Sequence, residues 1–332
     1  MSLFSPPDFW SEEGRLARLL GPLGGLYGAV SARRAARPPV FRAPVPVICV
    51  GNATLGGSGK TPVALDLAAR LLARGRRPAF LSRGHGARHG PRPLRVDPAR
   101  HRAEEAGDEP LLLARRAPTF IDPDRVRGAK AAIAAGADVL VMDDGLQNPR
   151  LAKTASLLVI DGPAGFGNAR PFPAGPLREP LAALWPRVSA VALIGPPRPG
   201  LLALLPPALP CFRAHLVAGP SMAALRGVRV FAAAGIGRPA KFRESLVDAG
   251  AEVAGFLDFP DHHRFRPKDE TRILAAARLA RARPVTTEKD WVRLSPAARA
   301  AIAAAGVELA WEDEAALEAW LTGVLREGPD GG

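Results

Sequence analysis

Several features are scarce or missing in this 332-residue chain, and each excludes a class of protein. Two cysteines are too few for a disulfide-stabilised scaffold, and they fit a reducing compartment. No run of about 18 apolar residues is present, so no spanning helix is expected. The first residues lack a short apolar core that leads to a cleavage site. We therefore expect no signal peptide and a cytoplasmic protein.

Acidic residues and tyrosine are also few. The chain has 32 Asp and Glu against 45 Lys and Arg, a formal net charge of +13, and only one Tyr. The arginines are dispersed, and few rings are available to stack on bases. A basic protein can equally bind an anionic membrane surface. Much of the excess of arginine over acidic residues reflects a general composition bias. We expect no nucleic-acid partner.

Residues 9–31 have the pattern of an amphipathic helix. Apolar side chains recur at helical spacing from Leu16 to Val30, and aromatic residues and arginines flank them. This pattern is typical of a helix in a membrane interface, and a helix docked on its own domain is the alternative. Ser11 is the predicted helix cap, and Pro22 is expected to break or kink the helix.

A glycine-rich turn follows the apolar strand predicted at 44–50 and precedes a helix that opens at Pro62. Strand, glycine-rich turn and helix in this order indicate a phosphate-binding loop, because glycine lets backbone N–H groups approach phosphate. Lys60 is expected to reach the β- and γ-phosphates, and Thr61 to ligate Mg²⁺. The predicted nucleotide-binding residues are Thr54, Leu55, Gly56, Gly57, Ser58, Gly59, Lys60 and Thr61.

The loop departs from the common pattern at one position, since Thr54 stands where a glycine is usual. We take the neighbouring glycine-rich run Gly56-Gly57-Ser58-Gly59 to compensate. Guanine specificity would need an Asn/Thr-Lys-x-Asp motif. The nearest match, Thr287-Glu288-Lys289-Asp290, has Lys and Asp adjacent, so its spacing fails. The expected nucleotide is ATP.

Two adjacent carboxylates follow another predicted strand. The apolar run Val139–Met142 indicates a buried parallel strand, and Asp143 and Asp144 come directly after it. A carboxylate at this end of a strand is where phosphate-loop proteins hold Mg²⁺. Because alternate side chains point in opposite directions, one Asp is expected to ligate the metal while the other orients water or Lys60.

Two other motifs carry acid–base candidates. Asp108 lies in the turn Gly107-Asp108-Glu109-Pro110, where a general base is one interpretation and a helix cap the better one from the residues alone. Asp261 and His262 lie in the polar stretch 259–265, which suits proton handling. A surface loop is the alternative there.

Taken together, these motifs resemble the tetraacyldisaccharide 4′-kinases, the lipid A 4′-kinase family of Gram-negative bacteria. The resemblance extends almost end to end. Besides the motifs above it includes Ser82-Arg83-Gly84, Met142-Asp143-Asp144-Gly145-Leu146-Gln147, Pro173-Ala174-Gly175-Pro176-Leu177-Arg178-Glu179-Pro180 and Ala234-Gly235-Ile236-Gly237. The chain departs at His85, where the family usually has Tyr, and at Arg238, where it usually has Asn.

The resemblance implies transfer of the ATP γ-phosphate to the 4′-hydroxyl of an acylated lipid substrate, tetraacyldisaccharide 1-phosphate. It implies that Asp108 is the base, with His262 as its partner and Asp261 tuning His262. It implies peripheral association with the cytoplasmic face of the bacterial inner membrane, and no protein partner is predicted. The implied Mg²⁺ ligands are Thr61, Asp143, Asp144, Gln147 and Glu179. A membrane-associated phosphate-loop ATPase that switches partners is the alternative.

The expected fold is α/β: a P-loop NTPase-type, mostly parallel sheet, a second smaller α/β domain and an N-terminal amphipathic helix. Strands near 191–194, 228–234, 252–256 and 307–311 are assigned to the second domain. The resemblance implies that the active site lies in the cleft between the two domains. The predicted ranges are 1–33 for the membrane-associated helix, 34–161 for the nucleotide-binding core, 162–187 for a crossover and 188–328 for the second domain.

Overall fold

The structure, a computed structural model, describes residues 7–56, 59–84, 87, 90 and 92–327. The strands are β1 (Val47–Gly51), β2 (Pro78–Ser82), β3 (Leu94–Arg95), β4 (Thr119–Ile121), β5 (Val139–Asp143), β6 (Ala155–Asp161), β7 (Ala190–Ile194), β8 (Cys211–Ala218), β9 (Arg229–Ala234), β10 (Glu252–Asp258), β11 (Arg283–Thr287), β12 (Ala303–Ala305) and β13 (Val307–Trp311). The helices are α1 (Arg15–Leu19), α2 (Gly21–Ala35), α3 (Lys60–Ala73), α4 (Ala103–Ala106), α5 (Asp108–Ala114), α6 (Arg125–Ala134), α7 (Leu181–Leu184), α8 (Pro220–Ala223), α9 (Pro239–Asp248), α10 (Pro267–Leu279), α11 (Glu288–Trp291), α12 (Pro296–Ala301) and α13 (Glu314–Arg326).

The larger sheet contains nine strands in the described part of the chain, in the order β13-β8-β7-β6-β1-β5-β2-β4-β3. Only its two outermost pairings are antiparallel. Helices α3 and α13 pack on one face, and α6 with the segment before β7 packs on the other. Burial on both faces explains why β1, β5 and β7 are continuous apolar runs.

A second, smaller sheet has the order β10-β9-β11-β12, and its described strands are all parallel. Helices α8 and α9 contribute to the core on one side, and α10 and α12 to the core on the other. The carboxyl end of β9 leads into the loop that contains Gly235, and that of β11 leads directly into α11, which contains Lys289. In an open parallel sheet, ligands bind at this edge.

The two sheets divide the chain differently from the predicted ranges. The strands expected in the second unit at 191–194 and 307–311 belong to the larger sheet: β7 pairs with β6, and β13 returns antiparallel to β8. The assignment was wrong because strand pairing is a long-range property, and an apolar run does not specify its neighbour. The smaller sheet is confined to strands between residues 229 and 305.

The N-terminal segment forms two helices that break where the sequence predicts a kink, between Leu19 and Gly21 ahead of Pro22. The prediction that Ser11 caps a helix is wrong. Its hydroxyl donates to the Asp8 carbonyl, and α1 begins after Gly14. Cap patterns recur in turns that lead to no helix, and here the chain first makes a short 3₁₀ turn.

Helix α2 is docked on one side and bare on the other. Gly24 is buried against Pro171 and Ala174, where an added Cβ would lie 2.8 Å from the Pro171 carbonyl oxygen. The opposite side exposes a row of apolar side chains on α1 and α2: Leu16, Leu19, Leu23, Leu26 and Val30. Within the described ranges, no helix combines the length and apolar character that crossing a bilayer requires.

Candidate active site

The phosphate loop joins β1 to α3, and its lysine is held by a residue at the end of the strand. Lys60 is the first residue of α3, and Gly59 before it has a φ of 79°, a backbone conformation that glycine adopts without strain. The Lys60 Nζ donates to Asn52 Oδ1 at 3.0 Å. The Asn52 amide donates to the Thr54 carbonyl at 2.8 Å, so one side chain ties the lysine to the loop.

The other predicted loop residues occupy the same turn. Thr61 follows Lys60 in the first turn of α3, and Leu55 donates its backbone N–H to the Pro176 carbonyl. Because of this hydrogen bond from Leu55, the segment around 176–178 runs beside the loop, a contact that no local sequence pattern predicts. Gly57 and Ser58, and His85 farther on, lie outside the described residues.

Asp144 lies between two cations at the end of β5. Its carboxylate accepts two hydrogen bonds from Arg178, at 2.9 and 3.0 Å, and lies 3.8 Å from the Lys60 Nζ. Burial alone acts to raise the pKa of Asp144, but the charges of Lys60 and Arg178 outweigh it and lower that pKa below its ordinary value. Asp144 is thus a stable carboxylate beside the phosphate loop.

Asp143 has a different environment although it is the adjacent residue. Its side chain is 2% exposed, and no hydrogen-bond partner for Oδ1 is present among the described residues. Burial raises its pKa to about 7, and the charges of Glu109 and Asp144 act in the same direction. A buried acceptor oxygen without a protein donor fits a cation ligand.

The few oxygen donors present suit Mg²⁺, which needs few protein ligands, better than a metal whose ligands all come from protein. The described residues contain no cluster of three or more His, Cys, Asp and Glu arranged to hold a metal. Mg²⁺ is usually held by one or two carboxylates together with substrate phosphates and water. Asp143, Asp144 and the Thr61 hydroxyl match that limited requirement.

Gln147 and Glu179 lie behind Asp144 in one hydrogen-bonded network. The Gln147 amide donates to Glu179 Oε1 at 3.1 Å, and its carbonyl oxygen accepts from Arg178 at 3.4 Å. Glu179 is fully buried, and Arg187 donates to its other oxygen. Both Glu179 oxygens thus have protein donors, which favours a supporting position for this predicted Mg²⁺ ligand.

Asp108 and His262, 154 residues apart in the chain, are in contact. Asp108 opens α5, directly after Gly107. Its Oδ2 lies 3.1 Å from His262 Nδ1 and accepts from Arg293 Nε at 2.7 Å. Burial acts to raise the pKa of Asp108, but the hydrogen bonds and charges of His262 and Arg293 prevail and lower it. Asp108 is therefore a carboxylate at neutral pH.

His262 is held by several residues of the smaller sheet unit. Its backbone φ is 56°, and its N–H donates to the adjacent Asp261 Oδ1 at 2.9 Å. Its Nε2 lies 3.3 Å from the Lys289 Nζ. The buried Asp290 accepts from Arg293 at 2.7 Å. Asp290 thereby anchors the arginine that bonds Asp108.

The two groups of residues face the same region. Helix α5 packs against both α3 and α11, which begin at the phosphate loop and at the Lys289 turn. Glu109, next to Asp108, is near enough to Asp143 to raise the pKa of that carboxyl. A second link is the ion pair from Arg238 to Asp161 at the end of β6, 2.6 Å. Such an arrangement of lysine, paired carboxylates and a separate carboxylate suits phosphoryl transfer.

Sequence reasoning missed four residues of this site. Asn52 and Arg178 lie inside motifs that the sequence singles out, so their positions after a strand and in a long Pro/Gly segment were available signals. Arg293 lies 185 residues from Asp108, and only the fold reveals their contact. Arg125 is 3% exposed, and burial lowers its pKa to about 10. The one sequence signal that could have identified Arg125 as a site residue is its position shortly after β4, since ligands bind at the carboxyl ends of parallel strands.

Known proteins resemble this chain over most of its length. A family model described as "Tetraacyldisaccharide-1-P 4'-kinase" matches residues 16–326. A tetraacyldisaccharide 4'-kinase of Gluconacetobacter diazotrophicus is 54% identical over 321 residues, 95% of this chain and 98% of that protein. One of Methylobacterium sp. (strain 4-46) is 55% identical over 326 residues, 96% and 98% of the two chains.

A solved structure extends the agreement to the fold. The crystal structure of an "apo" form of LpxK from Aquifex aeolicus in complex with ATP has a TM-score of 0.73 and 26% identity, and the match covers 93% of this chain and 99% of that one. The predicted α/β class with a mostly parallel sheet is confirmed. With the family model and the relatives in agreement over nearly its whole length, the chain belongs to the tetraacyldisaccharide-1-P 4'-kinase family.

Proposed function

We propose that this chain transfers the γ-phosphate of ATP to the 4′-hydroxyl of tetraacyldisaccharide 1-phosphate. A bond forms between the 4′-oxygen and the γ-phosphorus, the bond from that phosphorus to the β,γ-bridging oxygen breaks, and ADP leaves. The hydroxyl proton passes to a protein carboxylate. The observation that carries the proposal is the Asp108–His262 pair, held by Arg293 at the start of α5, a helix that packs against α3. Family membership and the ATP complex of LpxK support it.

The nucleotide side of the reaction belongs to the β1–α3 loop. We assign Thr54, Leu55, Gly56, Gly57, Ser58, Gly59, Lys60 and Thr61 to the ATP phosphates. The Lys60 ammonium lies at the N-terminus of a 14-residue helix, where positive potential favours phosphate. Because phosphoryl transfer has little covalent chemistry for the protein to perform, positioning and charge neutralisation provide most of the catalysis.

The metal proposed is Mg²⁺, which when bound neutralises charge on the β- and γ-phosphates. Thr61, Asp143 and Asp144 are the proposed ligands, and the orphaned Asp143 Oδ1 is the observation that supports them. Gln147 and Glu179 were predicted as ligands too. We place them behind the proposed ligands, where Glu179 holds Gln147, Gln147 holds Arg178, and Arg178 holds Asp144.

The acceptor side belongs to Asp108 and the residues of the smaller sheet unit. Among the described residues, every hydrogen bond to the Asp108 carboxylate goes to Oδ2, from His262 and Arg293. Oδ1 is thus the oxygen that meets the 4′-hydroxyl and receives its proton. Asp261 holds the backbone of His262, which fixes the direction of the imidazole.

The lipid is expected to reach the site from a membrane surface, the cytoplasmic face of the bacterial inner membrane. The apolar row on α1 and α2 supports this, since Leu19 is 76% and Leu26 is 66% exposed. Arg33, Arg34 and Arg37 follow on the same segment, where they suit anionic headgroups. Peripheral association places the acyl chains beside the bilayer from which they are drawn.

The alternative function, a phosphate-loop ATPase that switches partners, would need a water molecule oriented at the γ-phosphate but no acceptor base. Asp108 is oriented by two residues of the smaller sheet unit, His262 and Arg293. That arrangement favours an acceptor hydroxyl, so we retain only the kinase.

The test is direct. The purified chain is incubated with Mg·ATP and tetraacyldisaccharide 1-phosphate in mixed micelles, and the lipid is analysed by mass spectrometry. The expected product is the 1,4′-bisphosphate, with one ADP formed per phosphate transferred. Steady ADP release without any bisphosphorylated lipid would instead support the switch ATPase.

A further inference from the structure

The start of α11, directly after β11, is held in place by hydrogen bonds of Thr287 and Asp290. Thr287 caps α11 by accepting from the Asp290 N–H at 3.0 Å, and its hydroxyl donates to Asp290 Oδ2 at 2.7 Å. The same Asp290 oxygen accepts from the Gly235 N–H at 2.9 Å. Lys289 lies between these fixed positions, so its side chain starts from a defined point on the smaller sheet unit.

Lys289 contacts the imidazole of His262 from the side opposite Asp108. Its Nζ lies 3.3 Å from His262 Nε2, while His262 Nδ1 lies 3.1 Å from Asp108 Oδ2. A lysine ammonium only donates hydrogen bonds, so Nε2 must accept. In a neutral imidazole the proton then resides on Nδ1, which donates to Asp108.

Arg293 adds a second donor near the same ring. Its Nη2 lies 3.3 Å from His262 Nδ1 but 2.5 Å from Asp108 Oδ2. The shorter contact, between opposite charges, directs the guanidinium protons to the carboxylate. Arg293 therefore does not compete with the Nδ1 proton, and the two cations have different partners: Arg293 holds Asp108, and Lys289 holds His262.

We propose that Lys289 is a positioning residue for the phosphoryl transfer: by donating to His262 Nε2 it fixes the Nδ1–H tautomer, which in turn orients the Asp108 carboxylate toward the acceptor hydroxyl. This inference rests on the proposed kinase function. It gives a role to the Thr287-Glu288-Lys289-Asp290 motif, whose spacing fails as a guanine-binding motif. The lysine acts through the histidine and does not itself receive the proton.

The kinetic test compares Lys289→Met with Lys289→Arg and with a matched control, Lys241→Met, which removes an exposed lysine from α9. Lys289→Met is expected to lower kcat about 10-fold or more, because a misdirected acid–base group loses part of its contribution. The KM for ATP and the KM for the lipid are expected to change less than about twofold. Lys289→Arg, which restores a donor, is expected to recover most of kcat, and Lys241→Met to leave it unchanged.

The spectroscopic test does not depend on turnover. Long-range ¹H–¹⁵N spectra of protein labelled at histidine nitrogens report which ring nitrogen carries the proton, and His262→Gln identifies the His262 signals. The expected result is an Nδ1–H tautomer in the parent chain and its loss in Lys289→Met. Circular dichroism and ATP binding establish that each variant is folded.

Three results would overturn the inference. One is an unchanged kcat in folded Lys289→Met, and another is a rise in the KM for ATP alone, which would make Lys289 a phosphate ligand. The third is a His262 tautomer that is the same with and without the lysine. If the parent chain makes no bisphosphate, the proposed function fails instead, and the spectra still decide whether Lys289 sets the tautomer.

Discussion

Neighbouring carboxylates in this site differ in their tendency to bind a proton. Asp144 faces Lys60 and Arg178, and its pKa is lowered, whereas burial raises the pKa of Asp143 to about 7. The difference arises because consecutive side chains leave β5 in different directions, one toward cations and one into the protein. The sequence predicts distinct roles for the two aspartates, and the fold shows that their surroundings differ: Asp144 faces Lys60, while the Asp143 Oδ1 has no hydrogen-bond partner among the described residues.

Lys60→Ala is expected to lower kcat by about 10² to 10³, because it removes charge that stabilises the transferring phosphoryl group. The fold should persist, since the polar contacts of the lysine in the described part of the chain are with two polar side chains, Asn52 and Asp144. Steady-state kinetics and thermal unfolding measure the two effects. Near-normal turnover in the folded variant would remove the phosphate loop from the mechanism.

Asp108→Asn is expected to lower kcat strongly with ATP affinity little changed. It should also destabilise the chain at neutral pH by about 1–3 kcal/mol, because the Arg293 side chain, 3% exposed, loses a charged partner. The folded-state pKa of Asp108 is lowered from 3.8, so the carboxylate contributes stability above pH 3.8 and loses it as pH falls. Denaturant unfolding of parent and variant at several pH values should therefore converge toward acid pH.

At the scale of elements, the N-terminal helices connect the proposed membrane-facing surface to the phosphate loop. Helix α2 packs on Pro171 and Ala174, and a few residues later Arg178 donates its N–H to Ala53 in the phosphate loop. From the sequence, a membrane helix and a helix docked on its own domain were alternatives. In the structure the N-terminal helices have one docked face and one exposed apolar face, so each alternative describes one face. Point variants on each face are thus more informative than deletion of residues 1–32.

Gly24→Ala and Gly25→Ala test the docked face as a matched pair. A Cβ at Gly24 would lie 2.8 Å from the Pro171 carbonyl oxygen, whereas nothing lies within 4 Å of one at Gly25. Gly24→Ala is expected to destabilise by about 1–3 kcal/mol through overpacking. Gly25→Ala is expected to be neutral or stabilising by up to about 1 kcal/mol, since alanine favours helix. Equal unfolding temperatures for the two variants would contradict the docking.

Leu19→Glu and Leu279→Glu test the exposed face. Both leucines are largely exposed, 76% and 88%, so neither substitution should alter the free energy of unfolding appreciably. Leu19 lies in the apolar row of α1 and α2, while Leu279 ends α10 on the smaller sheet unit. In sedimentation with anionic phospholipid vesicles, only Leu19→Glu is expected to reduce binding. An equal loss in both would mean that charge, not this face, governs association.

At the scale of the whole molecule, local patterns predicted elements but not their partners. The strands β1 and β5 lie where the apolar runs predict them, because burial on both faces makes each one a continuous apolar run. The assignment of β7 and β13 to the second unit was wrong, since both pair in the larger sheet. The contact of Asp108 with His262 was implied by resemblance alone, and Arg293 was not predicted at all. Contacts across more than 150 residues leave no periodic trace in the sequence.

The ion pair between Arg238 and Asp161 joins the smaller sheet unit to the end of β6. The two side chains are 59% and 15% exposed, so the pair should contribute no more than about 1 kcal/mol to the free energy of unfolding. Its larger effect is expected on kcat, because the same two units must stay together for His262 to contact Asp108.

We expect Arg238→Asn and Asp161→Asn each to lower kcat by up to about fivefold, the equivalent of 1 kcal/mol, and the double variant to lower it no further. Rising salt should reduce kcat of the parent chain toward that of the variants, because partly exposed charges are screened. Arg229→Asn is the matched control, since its ion pair with Glu252 lies within the smaller sheet and joins no second unit. If the two single effects multiply in the double variant, the pair does not couple the units, and the closeness of His262 to Asp108 depends on Arg293 and the packing of α5 against α11 instead.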